Sequence, residues 1–217
     1  MIQGALFDYS GTLFRLEPGP EWLADEPRRD ELFALLTAST RSAEHLPAEL
    51  ADDWARRDLD PETHRAVYLA ALTTSDIPVA PDVAEVLYAR MIDPASWRPY
   101  PDTVPTLRRL RAAGVRVGVV SNIAWDIREV FRRHDAEDLV DEYVLSYVEG
   151  VMKPDAKIFT VACQRLGVDP ERTLMVGDSA EADGGAVAIG AEFALVEPSP
   201  VAERPDALLD VLGARGL

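Results

Sequence analysis

Ile2-Gln3-Gly4-Ala5-Leu6-Phe7-Asp8-Tyr9-Ser10-Gly11-Thr12-Leu13 is an apolar run that stops at a carboxylate and passes straight into a short turn. A short apolar run bounded by turn residues fits a buried strand of an α/β sheet. The carboxyl end of such a strand is where open α/β sheets place their chemistry. Asp8 is therefore a candidate nucleophile for phosphoryl transfer, with Gly11 letting the backbone approach a ligand and Thr12 able to tie the turn down. Ser10 is the unusual letter. Two residues after such an aspartate a general acid would be useful, and a serine hydroxyl is too weak an acid for that work near neutral pH.

After Leu13 the pattern turns helix-like for about eighty residues. Trp22, Leu23, Leu32, Leu35 and Leu36 fall at near-helical spacings, with Pro47, Pro61 and Pro81 as punctuation. Pro61-Glu62 opens a helical segment carrying Val67, Leu69 and Leu72. Pro81-Asp82 opens another, with Val83, Val86, Leu87 and Met91 on its apolar side. No strand is expected between them, and Asp93 to Pro101 reads as a linker. From Asp102 helix and strand alternate. A helix with Val104, Leu107 and Leu110 ends at Gly114, and the β-branched run Val115 to Val120 delivers Ser121-Asn122 at a second strand end. Residues 125–134 read as helix, 143–148 as strand and 155–166 as helix, with Ile158, Phe159, Ala162 and Leu166 on one side. Leu174 to Val176 is a short buried strand leading to Asp178, followed by a helix near 180–189, a strand Phe193 to Val196 and a helix near 202–213. This βαβα series implies a parallel sheet with right-handed crossovers.

The length of 217 residues and a 47% hydrophobic content suit one α/β domain, or a core with a smaller insertion. A net charge of −16, with arginines interleaved among acids, argues against a nucleic-acid partner. The single cysteine, Cys163, leaves no internal disulfide framework and reads as a small buried hydrophobe. No stretch approaches the roughly 18 apolar residues of a membrane span. A cytoplasmic protein without a membrane partner is expected, as a monomer or homodimer.

Asp8, Ser121, Lys153 and Asp178 fall at strand ends or in loops beside them. In a doubly wound sheet those ends share one edge, so residues far apart in sequence converge. Their chemistries are complementary: Asp8 as nucleophile, the Ser121 hydroxyl and Asn122 amide as donors to phosphate oxygens, Lys153 as balancing cation and Asp178 as a hard oxygen ligand. A dianionic substrate facing Asp8 needs a divalent cation to screen the repulsion. Mg²⁺ fits, held by Asp8, a backbone carbonyl near Ser10 and Asp178, with Asp183 steadying the site directly or through water. His45, His64 and His134 are isolated and read as surface or packing residues. Trp125 suits the pocket wall or helix packing equally, and Arg15 and Arg41 carry no assignment.

In these motifs the chain resembles the haloacid dehalogenase superfamily of hydrolases over its whole length. Asp8-Tyr9-Ser10-Gly11-Thr12, Val119-Val120-Ser121-Asn122, Lys153-Pro154 and Gly177-Asp178 through Asp183 meet the family pattern in order. The resemblance implies a Rossmann-like α/β core, residues 1–15 and 98–217, and an inserted α-helical cap, residues 16–97, that closes over the site and contacts a small-molecule substrate. It also implies that Ser10 occupies the usual acid/base position. There family phosphatases carry an aspartate, which protonates the leaving alcohol and then activates water. Phosphonatases carry alanine, dehalogenases tyrosine and the phosphorylated ATPases threonine. The expected activity is a Mg²⁺-dependent phosphatase acting on a small phosphorylated metabolite through an aspartyl phosphate, with Asp8, Ser10, Ser121 and Lys153 as catalytic positions. The alternatives are a 2-haloacid dehalogenase-like or phosphonatase-like hydrolase, or a low-turnover binding protein on the same fold. Dehalogenation does not need the missing acid, because a halide leaves unprotonated. Against it stand the retained metal carboxylates and the absent tyrosine.

Overall fold

The computed structural model describes residues 1–19, 22, 28–29, 31–33, 47–74 and 78–217. Leu23, Leu35, Leu36, Arg41 and His45, all named above, lie outside the described residues.

A five-stranded parallel sheet runs in the order β5 (Glu142–Leu145), β4 (Arg116–Ser121), β1 (Gly4–Phe7), β6 (Thr173–Gly177), β7 (Glu192–Leu195). The chain starts in the middle, builds outward through β4 and β5, then crosses back to β6 on the other side of β1. The edge beyond Phe7 is therefore the switch point at which doubly wound sheets form a crevice. The three central strands, β4, β1 and β6, are buried on both faces apart from Arg116. Ala5 and Phe7 share one face with Val117, Val119, Leu174 and Val176, where they meet Leu107, Leu110, Leu208 and Leu212. Leu6 points the other way with Val120, Val144 and Met175, against Ile158, Phe159 and Leu166. The period-2 alternation of β1 thus sorts the helices into two layers. Helices α4 (Thr103–Ala112) and α8 (Ala207–Gly213) cover one face, and α7 (Ala156–Leu166) covers the other.

Between β1 and β4 the described insertion is helical: α1 (Ala51–Arg56), a 3₁₀ turn at Arg57–Leu59, α2 (Pro61–Thr74) and α3 (Pro81–Ile92). Pro61 starts α2 because the Asp60 carboxylate accepts the Thr63 N–H at 2.7 Å, a side-chain cap immediately before a proline that needs no donor. The apolar side of α3 is Ala84, Leu87, Tyr88 and Met91, and Val86, expected there, is 54% exposed.

Several boundaries differ from the sequence expectation. Phe14–Leu16 is strand β2 and pairs antiparallel with β3 (Trp97–Pro99), so the helical pattern does not begin at Leu13 and the linker is partly strand. Three-residue strands are too short to show a period. Residues 146–149 leave the strand as a helical turn, α6 (Ser146–Glu149), where Ser146 turns inward to bond across to the insertion. Helix α5 is confined to Arg128–Arg133, and 183–189 is a 3₁₀ segment. The final helix begins only at Ala207, preceded by a 3₁₀ turn at Val201–Glu203.

The start of α8 is fixed from far away in sequence. Buried Asp102 accepts the N–H groups of Leu208 at 2.6 Å and Leu209 at 3.3 Å, doing for this helix what its own Asp206 does not. Asp102→Ala should therefore cost about 1–2 kcal/mol, in the range of a lost helix cap, read as a lower urea midpoint at unchanged slope.

Candidate active site

β1 delivers Asp8 one residue past Phe7, and the Asp8 N–H donates to Val176 O at 2.9 Å, so the nucleophile candidate is registered on β6. The chain then folds back tightly. Leu13 N and Phe14 N both donate to Tyr9 O, and Gly11 N donates to Phe14 O at 2.7 Å. Gly11 adopts φ +81°, and a Cβ there would run into the Asp178 carboxylate, so glycine is required for both conformation and space. Thr12 Oγ1 lies 3.4 Å from Asp8 Oδ2. From behind, the guanidinium of buried Arg204 donates to Gly11 O at 2.8 Å and to Thr12 O, and stacks over Tyr100. Sequence reasoning did not single out Arg204, because nothing in an arginine-rich chain marks one guanidinium as folded onto a distant loop.

The other strand ends converge as expected. β4 ends at buried Ser121, and β6 ends at Gly177, after which Asp178 and Asp183 turn back toward Asp8. Ligand oxygens of Asp8, Asp178 and Asp183 all lie within 4.8 Å of one another. Gly177 leaves the space that the Asp183 side chain occupies, and Asp183 Oδ2 accepts the Ser179 N–H at 2.9 Å. Lys153 Nζ donates to Asp8 Oδ1 and to Asp183 Oδ1, both at 2.6 Å. Asn122 lines the cavity and also holds Lys153: its side-chain oxygen accepts Lys153 N–H at 2.8 Å and its amide donates to Lys153 O at 3.0 Å. One amide N–H is thus committed to holding the lysine's backbone.

Burial pushes the Asp8 carboxyl up to about 7, with Asp183 and Asp178 adding to the rise and Lys153 opposing it. Burial would also neutralise Lys153, but the carboxylates of Asp8 and Asp183 outweigh it and hold the ammonium charged. Three carboxylates face one cation, an oxygen-rich and net negative set that suits a hard divalent ion.

The cavity over this cluster has a volume of about 740 Å³. The strand ends supply Asp8, Ser10, Ser121, Lys153, Asp178 and Asp183, and the helical insertion supplies Arg57, Asp58, His64, Tyr68 and Met91. Trp97, Trp125 and Arg15 also line it. Trp125 is thus a wall residue, and Arg15 donates from the wall to Pro198 O. His134 packs beside Phe14 instead. His64 is a packing residue that also lines the cavity. Its ring stacks on Tyr68 with centroids 4.3 Å apart, meets Trp125 edge-on, and shares a 3.0 Å hydrogen bond between Nδ1 and the Tyr88 hydroxyl. Asp58 and His64 could not be picked out from sequence, since each sits in an ordinary charged helical pattern with no motif spacing.

A buried carboxylate beside a buried ammonium, facing further carboxylates at the switch point of a parallel sheet, is an arrangement that suits a hydrolase. The chain belongs to the haloacid dehalogenase-like hydrolase family, whose model matches residues 2–189. Arg204, which clamps the Asp8 loop, lies beyond that span. The chain is 34% identical over 187 residues to the glyceraldehyde 3-phosphate phosphatase of Methanopyrus kandleri, covering 84% of this chain and 78% of the relative. It is 27% identical to the structure of a 2-haloacid dehalogenase from Pseudomonas syringae pv. Tomato, with full coverage of both chains and a TM-score of 0.58. A dehalogenase structure with an intermediate complex superposes at a TM-score of 0.73 and 21% identity, covering 98% of this chain and 96% of the other, a likeness of fold.

Burial, followed by the charge of Arg57, lowers the His64 pKa from 6.5 to about 3. The unfolded chain therefore binds a proton that the folded one refuses, and this part of the stability is lost as pH falls from about 6.5 toward about 3. His64→Gln should flatten the acid limb of a stability-versus-pH profile in that window, measured by denaturant unfolding.

Proposed function

We propose that this hydrolase is a Mg²⁺-dependent phosphatase for a small phosphorylated metabolite, working through an aspartyl phosphate on Asp8. The observation that carries the reading is the carboxylate cluster itself. Asp178 beside Asp183 adds negative charge that a metal-free displacement has no use for, whereas a phosphate dianion facing Asp8 requires a cation. Similarity to a relative named as a glyceraldehyde 3-phosphate phosphatase supports the same class of substrate.

Asp8, Asp178, Asp183 and the carbonyl of Ser10 are the groups that would hold Mg²⁺, which when bound supplies charge neutralisation between carboxylates and phosphate oxygens. The chain's own residues do the rest. Lys153 holds Asp8 oriented, and its ammonium favours the carboxylate form against the burial that disfavours it. Asp8 Oδ attacks phosphorus in line with the departing oxygen, and an aspartyl phosphate forms. The Ser121 hydroxyl, at the end of β4, donates to the phosphoryl oxygens as charge builds there. Asn122 fixes Lys153 and, through its remaining N–H, faces the same anion. Residues 16–97 act as the cap on a core of 1–15 and 98–217, with the β2–β3 ribbon at the junction, and closure of the cap excludes water.

A second reading, dehalogenation, draws support from the full-length likeness to a 2-haloacid dehalogenase structure and from Ser10, because a halide leaves without a proton. The two readings separate in one experiment. Incubation with an alkyl phosphate and Mg²⁺, followed by acid quench and peptide mass spectrometry, should show phosphorylated Asp8, absent in Asp8→Asn. Chelation should abolish turnover. Turnover of a 2-haloacid that survives chelation, with no phosphorylated Asp8 from any ester, would overturn the phosphatase reading.

A further inference from the structure

Ser10 brings no carboxyl to the acid/base position after Asp8, yet the alkoxide of an alkyl phosphate is a poor leaving group unless it is protonated. We propose that Asp58, contributed by the helical insertion, is the general acid and base of the reaction at Asp8, with His64 and Tyr88 as positioning residues. The inference rests on the phosphatase reading and assigns the role that Ser10 cannot fill.

Four observations carry it. Asp58 lines the same cavity as Asp8, Ser10 and Lys153, and it is the carboxyl that the described part of the insertion places there. Glu181, the other non-cluster carboxyl on the wall, is exposed to solvent. The main chain at Asp58 is pinned to the core, since Ser146 Oγ at the end of β5 lies 2.6 Å from Asp58 O. Its carboxyl is enclosed, with the side chain 13% exposed, and among the described residues it is not committed to a fixed donor: Oδ1 is 3.7 Å from His64 Nε2 and Oδ2 is 3.7 Å from Arg57 Nη2. Both separations exceed hydrogen-bond reach.

The groups facing Asp58 are Arg57 on its own turn, His64 and Tyr68 on α2, and Lys153 from the core. Burial raises the Asp58 pKa above the ordinary carboxylate value, with Arg57 and then Lys153 opposing, which favours a protonated donor. His64 cannot be the donor itself, because burial keeps it neutral. With its proton on Nε2 it offers an N–H toward Asp58 while Nδ1 accepts from Tyr88, so the pair steers the carboxyl without competing for its proton.

The protons balance through both steps. As Asp8 Oδ bonds to phosphorus and the bond from phosphorus to the alcohol oxygen breaks, the Asp58 proton passes to that oxygen. The Asp58 carboxylate then takes a proton from water while the water oxygen attacks phosphorus. The bond from phosphorus to Asp8 breaks, inorganic phosphate leaves, and Asp58 is again the acid.

The test is rapid-quench, single-turnover phosphorylation of Asp8 with Mg²⁺, comparing glycerol phosphate with p-nitrophenyl phosphate, whose leaving group needs little protonation. Asp58→Asn should slow phosphorylation by the alkyl ester about 10²–10⁴-fold while sparing the aryl ester. Asp58→Glu should retain most of the alkyl rate, and Ser10→Asp placed in the Asp58→Asn background should restore part of it. In the unmodified enzyme both rates should rise as Asp8 ionises, and the alkyl rate alone should then fall as pH rises through the Asp58 titration, a readout that does not depend on any variant folding. Equal loss for both esters, or parallel pH profiles, would overturn the assignment. No phosphorylated Asp8 in the unmodified enzyme from either ester would instead overturn the phosphatase reading beneath it.

Discussion

The Lys153 ammonium, 2.6 Å from both Asp8 and Asp183, is the contact around which the site is arranged. Carboxylates buried close together repel and resist ionisation, and the single lysine offsets only part of that cost. Its position is not left to a flexible side chain. Asn122 grips the Lys153 backbone from the end of β4 through two hydrogen bonds, so the ammonium is placed by the sheet itself. The glycines at 11 and 177 follow from the same constraint, since side chains there would occupy the volume of Asp178 and Asp183. What remains is a net negative cluster opening into a cavity, an arrangement that asks for a further cation.

The fold supplies this cluster through topology. Because the chain begins in the central strand and builds outward on both sides, the ends of β1, β4 and β6 meet at one edge. The C-terminal segment closes the arrangement from behind. Arg204 turns the carbonyls of Gly11 and Thr12 toward itself, and Asp102 anchors the helix that follows. Arg204 therefore shapes the loop after Asp8 although it does not itself line the cavity. Burial lowers the Arg204 pKa, with Tyr100, Asp102 and Asp178 opposing that shift, and the guanidinium lies over the Tyr100 ring.

How much of this was legible in sequence depends on the length scale of the signal. The parallel core was readable because β1, β4 and β6 are built on short apolar runs and because α7 places Ile158, Phe159, Ala162 and Leu166 at helical spacing up to a left-handed Gly167. Asp8, Ser121, Lys153, Asp178 and Asp183 were readable as motif residues at strand ends, and the structure brings all five to one cavity. The β2–β3 ribbon was not, since its pairing joins residues more than eighty positions apart through strands of three residues. Trp125 was open between the pocket wall and helix packing, whereas the wall contributed by Asp58, His64 and Tyr68 was hidden. Their neighbourhood is set by how α2 packs across the core, and no local pattern records that. Asn122 shows a subtler limit: residue type and position suggested a phosphate donor, while the fold directs one amide N–H and the carbonyl oxygen to the lysine.

The central claim is that Asp8, held by Lys153 and flanked by Asp178 and Asp183, is built to carry a phosphoryl group beside a divalent cation. A crystal structure with Mg²⁺ and beryllium fluoride, a phosphoryl mimic that bonds to carboxylates, tests this most directly. The account predicts fluoroberyllate on an Asp8 carboxylate oxygen, the metal ligated by Asp8 and Asp178, and Lys153 still bridging Asp8 and Asp183. A free Asp8, with no metal bound at the carboxylate cluster under saturating Mg²⁺, would contradict it.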